Sequence, residues 1–311
     1  MVRSKSLMKM SHGAEYLAAR VAAGLFQILP HRTAVAWGGR IGRLVGRLWS
    51  VRRRVVLRNL EVAFGETLTD RQRRRLTGDV FANLGCTLAE ISRFPRLTRE
   101  SILHLVTSEG EESFQEVLDY GRGAVLVGSH FGNWELVGAY IKARGYPVDF
   151  LVRAQHNPYF DRYLTYLRQS CGIGVIHSEQ GMTEVLRALK QNRQIAIIAD
   201  QHAGAGGIVT TFFGRPVSVP RAPATLAVKL GVPMMTGYIL RNPDHTHHCR
   251  FEPPIYPDPQ ADPENEIVRL TTIFTQRMEA AIRLRPDLWL WTHRRFKQVA
   301  GTEQIDYGSV R

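Results

Sequence analysis

The chain has 311 residues, 44% hydrophobic and 22% charged, an ordinary globular composition with room for one large domain or two smaller ones and no low-complexity segment. Three widely spaced cysteines (Cys86, Cys171, Cys249) without a CxxC pair argue against a disulfide scaffold and for a reducing compartment facing the cytosol. The formal charge of +13 is lopsided: residues 1–100 hold 19 Lys+Arg against 7 Asp+Glu and the remainder 22 against 21, so the sequence presents a basic docking segment joined to a near-neutral body.

The stretch from Gly13 to Pro30 is mostly apolar but carries Glu15 and Arg20, short of the ~20 uninterrupted apolar residues of a spanning helix. It has no signal-peptide cleavage signature. Next, "TAVAWGGRIGRLVGRLWS" puts Trp37, Ile41, Leu44, Val45 and Leu48 at helical spacing, with Arg40, Arg43 and Arg47 as a separate stripe. That is the pattern of an interfacial membrane helix, with Trp37 and Trp49 as interface anchors; the alternative is a surface helix packed on its own domain. Gly39, Gly42 and Gly46 weaken an isolated helix but permit close packing. "VRRRVVLRN" and "TDRQRRRL" are basic without stacking aromatics or a recognisable nucleic-acid motif, which makes nucleic acid the weaker partner. From Leu68 a long helix, or two, follows with Thr69 or Asp70 as cap.

Beyond residue 105 the rhythm becomes strand and helix in alternation: "GAVLVGS" then "NWELVGAYIKARG", "VDFLVRA" then "NPYFDRYLTYLRQSCG", "IGVIH" then "MTEVLRALKQN", and "QIAIIAD". We therefore expect an α/β fold, a central mostly parallel or mixed sheet flanked by helices, over residues 106–311, preceded by a basic helical membrane-docking region over 1–105. Ligands in such sheets bind beyond the carboxyl ends of the strands, and His130 and Asp200 each directly follow a strand.

In "GSHFGNWE", His130 would lie in a strand-to-helix turn, Asn133 near the helix cap and Glu135 in the first turn, within reach of one imidazole nitrogen. A carboxylate there would fix the tautomer and leave the other nitrogen to take a proton from an alcohol; the plain alternative is a core histidine. Ser129 is not in a nucleophile elbow, so direct attack by an activated hydroxyl is the simpler mechanism, with backbone amides around Gly132 as oxyanion donors. "HTHHC" (His245 to Cys249) lacks a distant ligand pair to complete a metal site, and Trp289 and Trp291 read as packing residues.

Taken in order, "RNLEVAFGE", "GSHFGNWE", "RAQHNP", "ADQ", "FFGRP" and "WLWTHRRFK" resemble the late lipid A biosynthesis acyltransferases of the lauroyl and myristoyl type, within the lysophospholipid acyltransferases that carry an HX4D/E motif. Gly65 and Phe296 depart from the proline and tryptophan usual there. The resemblance implies a glycerolipid acyltransferase-like fold and transfer of a fatty acyl chain from a thioester, on acyl carrier protein or coenzyme A, to a hydroxyl of a membrane glycolipid at the inner membrane's cytoplasmic face. The same chemistry with coenzyme A and a phosphatidylinositol mannoside, or a non-catalytic basic binding module, are the competing readings. It also implies His130 as general base, Glu135 as its orienting partner or a direct participant, Arg153, Asp200, Asn133 and Arg215 as substrate-binding residues, and no metal or cofactor.

Overall fold

The computed structural model describes residues 2–299 and 305–307. Five helices come first: α1 (Val2–Ile28), α2 (His31–Leu48), α3 (Ser50–Phe64), α4 (Asp70–Ser92) and α5 (Arg99–Leu105). Thr69 caps α4 in a reciprocal capping box with Gln72, satisfying two of the amides a helix start leaves open. There follow β1 (Val106–Glu109), α6 (Glu112–Tyr120), β2 (Ala124–Gly128), α7 (Trp134–Ala143), β3 (Val148–Val152), α8 (Pro158–Ser170), β4 (Gly174–His177), α9 (Met182–Lys190) and β5 (Gln194–Ile198). The chain then runs through β6 (Ile208–Phe212), β7 (Arg215–Val219), α10 (Ala222–Leu230), β8 (Met234–Arg241), β9 (His247–Phe251) and α11 (Pro263–Leu284).

Seven strands form one sheet in the order β1-β9-β8-β2-β5-β3-β4, parallel except where β8 meets β9. Alternate residues of β2 enter different cores: Val125 and Val127 join Ile195, Phe212 and Trp289, while Ala124 joins Leu136, Ala139 and Phe150. Both faces are therefore covered, which explains why these strands read as continuous apolar runs. Val56, Leu60 and Phe81 from α3 and α4 belong to the first of these clusters, so helices and sheet share a core. The antiparallel pair β6–β7, not apparent in the sequence, turns at Phe213-Gly214 and packs its phenylalanines against the carboxyl-terminal tail.

Helix α2 packs through its glycines. A Cβ at Gly42 would lie 2.1 Å from the Phe81 carbonyl oxygen of α4, and one at Gly38 would lie 2.5 Å from that of Gly85, so only glycine allows this backbone approach. The apolar stripe faces the other way: Trp37, Ile41, Leu44 and Leu48 are exposed. No helix among the described residues is long and apolar enough to cross a membrane.

Candidate active site

Neighbouring parallel strands β2 and β5 run in register to Gly128 and Ile198, so the residues just beyond them emerge side by side. His130 and Asp200 meet there, with Nδ1 of the imidazole 2.7 Å from Oδ1 of the carboxylate. Asp200 Oδ2 accepts from the backbone N–H of His130 and from Nε1 of Trp289, both at 2.8 Å. A carboxylate only accepts, so Nδ1 carries the proton and the Nε2 lone pair is left for a substrate.

Burial pushes the Asp200 pKa up, but the charge of His130 and three donated hydrogen bonds outweigh it and hold the carboxyl at about 2. Burial pulls the His130 pKa down, yet Asp200 more than offsets it by charge and hydrogen bond, leaving the imidazole a stronger base than usual. The ring stands edge-on to Trp134 with centroids 4.9 Å apart, and the tail braces the turn, Leu290 N–H donating to the His130 carbonyl at 3.0 Å.

Glu135 does not orient the histidine. It lies buried in the first turn of α7, its two oxygens 2.6 and 2.9 Å from the guanidinium of Arg168 on α8, and it reaches His130 by charge alone. The expectation of a Glu135 hydrogen bond on the ring is corrected: sequence proximity favoured Glu135, whereas strand adjacency puts Asp200 there. Asn133, expected beside substrate, is fully buried; it caps α7 through Leu136 N–H and donates to Glu90 at 2.8 Å. Glu90 also accepts from Arg241 and His247, so this polar cluster holds the turn from behind.

The amides around Gly132 are already committed. His130 N–H goes to Asp200, Phe131 N–H to Ser129, and Gly132 N–H to Leu288 at 2.8 Å, which removes all three as oxyanion donors. Gly132 has φ +59°, and a Cβ there would meet the Ile239 carbonyl at 2.2 Å; its role is to let the turn pass close to β8.

Arg153 is exposed at the end of β3, which lies beside β5, so it leaves the sheet at the same carboxyl edge as His130 and Asp200. Arg215 is exposed at the start of β7, and no hydrogen bond or ion pair among the described residues joins it to either residue. Sequence reasoning missed two participants. Trp289 was assigned to packing, although the polar N–H of a buried indole needs an acceptor; Arg168 gave no signal, because its partner lies on another helix.

Beside this pair lies an apolar cavity with about 570 Å³ of empty space, counting the part open to solvent at its mouth. Trp134, Val137, Gly138 and Ile141, one helical stripe of α7, face Phe150 and the sheet across it. A basic imidazole oriented by a carboxylate at strand ends, over an apolar slot, defines an α/β enzyme site suited to moving a proton at the head of a hydrophobic substrate.

The chain belongs to the bacterial lipid A biosynthesis acyltransferases, whose family model matches residues 2–298. It is 24% identical over 271 residues to the lipid A biosynthesis palmitoleoyltransferase of Escherichia coli, covering 86% of each chain, and 25% identical over 272 residues to the lauroyltransferase of that organism, covering 86% of this chain and 87% of the other. A phosphatidylinositol mannoside acyltransferase of Mycolicibacterium smegmatis is 29% identical over 182 residues, 55% of this chain and 56% of that one, so the chain spans about half the length of this relative. A 1-acyl-sn-glycerophosphate acyltransferase structure from Thermotoga maritima aligns with a TM-score of 0.37 at 16% identity over 80% of this chain and 99% of that one.

Proposed function

We propose that the protein transfers a fatty acyl chain from an acyl thioester to a hydroxyl of a membrane glycolipid such as a lipid A precursor. The observation that carries this reading is the His130–Asp200 pair beside an apolar cavity. Nε2 of His130 takes the acceptor hydroxyl proton as its oxygen attacks the thioester carbonyl. Collapse of the tetrahedral intermediate breaks the C–S bond, and the imidazolium returns the proton to the departing thiolate. Asp200 keeps the tautomer and stabilises the transient imidazolium. Glu135, tied to Arg168, adds negative charge nearby, and Arg153, exposed at the same sheet edge, meets an anionic substrate group in this reading.

The acyl chain occupies the cavity under α7. Acyl carrier protein as donor suits the excess of cations in residues 1–100, and no cofactor or metal enters the chemistry. The exposed stripe of α2 supports docking on the inner membrane's cytoplasmic face. Likeness to phosphatidylinositol mannoside acyltransferases favours, as a second reading, a phosphatidylinositol mannoside acceptor, which we pair with an acyl coenzyme A donor.

Purified protein given acyl carrier protein thioester and a lipid A precursor should release thiol and form an ester detectable by mass spectrometry, and His130→Ala should stop both. Transfer that survives His130→Ala in folded protein would overturn the mechanism; coenzyme A thioester and mannoside lipid outcompeting the first pair would select the second reading.

A further inference from the structure

The tail motif "WLWTHRRFK" does more than brace the turn. After Trp289 has bonded Asp200, the chain continues through His293, Arg294 and Lys297, which line an open pocket together with Trp49 and Arg52 from the start of α3. The pocket measures about 920 Å³ including its solvent-open space, and among the described residues no carboxylate lines it. Its wall is fixed from within. Buried Asn59 donates at 2.7 Å to the carbonyls of both Trp291 and His293, and Tyr307 donates at 2.7 Å to the other end of the same amide. Arg52 reaches the Thr292 carbonyl at 3.2 Å, so its guanidinium is held at the wall rather than swinging in solvent.

Nδ1 of His293 is buried without a hydrogen-bond partner, an expensive state for a native polar atom unless something else fills it. Burial lowers the His293 pKa to about 4 while Asp200 works against that, which puts this ring within electrostatic reach of the catalytic carboxylate. At the rim, Trp49 and Leu48 are 48% and 75% exposed and continue the outward apolar stripe of α2. The pocket therefore combines cations suited to a phosphate, an imidazole that feels the Asp200 charge and an apolar rim at Trp49.

We propose that this pocket binds the phosphate group of the lipid acceptor and so sets which acceptor hydroxyl faces His130. The assignment rests on the acyl-transfer reading, and it commits to the acceptor rather than to the phosphate of a thioester donor, because the lip adjoins the face that meets the bilayer.

The test pairs Arg52→Gln/Lys297→Gln with Lys297→Gln alone, which leaves the Arg52 contact to Thr292 intact. Full-length proteins in detergent micelles are given a phosphorylated glycolipid acceptor and its dephosphorylated counterpart, and inorganic phosphate is titrated against thermal unfolding in the same proteins. Loss of charge-assisted contacts should raise KM for the phosphorylated acceptor about tenfold or more, leave donor KM unchanged, and shrink the discrimination between acceptors. Phosphate should stabilise the wild type more than either variant. Unchanged discrimination with equal phosphate stabilisation overturns the proposal, as does a rise confined to donor KM. A wild type that acylates neither acceptor would instead sink the acyl-transfer reading, while the phosphate titration still reports on the pocket.

Discussion

Replacing Asp200 with asparagine changes one oxygen for an amide nitrogen and nothing in volume, so it isolates what the carboxylate does. Three donors converge on Asp200: the His130 backbone N–H, the His130 Nδ1–H and the Trp289 indole N–H. The asparagine oxygen can satisfy the pair at the Oδ2 position, which leaves the NH2 group facing Nδ1. Nδ1 must then accept, the proton moves to Nε2, and the base lone pair is no longer presented to substrate. An amide in place of a triad aspartate costs roughly ten-thousand-fold in kcat, and a loss of that order is expected here. Stability should change in a defined window. The folded carboxyl, at about 2, sits below its ordinary 3.8, so the stabilisation of roughly 2 kcal/mol is fully present above the ordinary value and disappears as pH falls through the folded one. The raised pKa of His130 is the other side of the same ion pair: its stabilising effect is present below the ordinary 6.5 and fades as pH rises through the raised value. Urea unfolding at pH 7 and near pH 3, with kcat/KM measured from pH 5 to 9, checks both. The acid limb of the wild-type profile should lie above pH 6.5 and shift downward in Asp200→Asn. A variant with near-wild-type kcat and an unmoved acid limb would refute this account of the pair.

Glu135→Ala leaves the Arg168 guanidinium buried without its carboxylate, and should destabilise the fold by about 3–5 kcal/mol in urea unfolding, with partial recovery when Arg168 is also made apolar. Gly42→Ala forces a methyl against the Phe81 carbonyl of α4 and should cost about 1–3 kcal/mol by the same measurement, whereas Gly13→Ala, with open space around its Cβ, should not destabilise. Gly138→Val should shorten the preferred acyl chain, because even a Cβ at this position would lie 2.4 Å from the Phe150 ring; each methylene excluded is worth about 0.8 kcal/mol, roughly fourfold in kcat/KM across a donor series.

The alternation of apolar runs and amphipathic stretches after residue 105 made the α/β sheet legible, and the place of His130 and Asp200 after strands marked the edge that matters. Their partnership was not legible, because it depends on β5 lying next to β2, a non-local pairing that no linear spacing encodes. Glu135 stood five residues from His130 and invited the assignment, but the α7 turn sends it toward Arg168. Asn133 illustrates a related ambiguity: a cap residue and a substrate ligand look alike until the depth of the helix start is known. The β6–β7 pair went unread because its Phe212-Phe213 corner carries a motif and because Phe213, at φ 50°, occupies a conformation that its residue type does not announce. In α2 the apolar and arginine stripes were visible, but both face outward; the face that turns inward is the one carrying Ala34, Val35 and the glycines.

The α2–α4 seam has a consequence for the medium in which it must hold. Gly38, Gly42 and Gly46 recur every fourth residue; the first two bring α2 backbone against α4 backbone, and Gly46 lets it close on the Phe81 side chain. Such a joint is held by dispersion at short range rather than by expulsion of water, the way small residues join helices inside a bilayer. Its strength therefore depends little on whether the outer face of α2 meets water, detergent or acyl tails. The helix can change surroundings on that face while its attachment to the catalytic body stays the same.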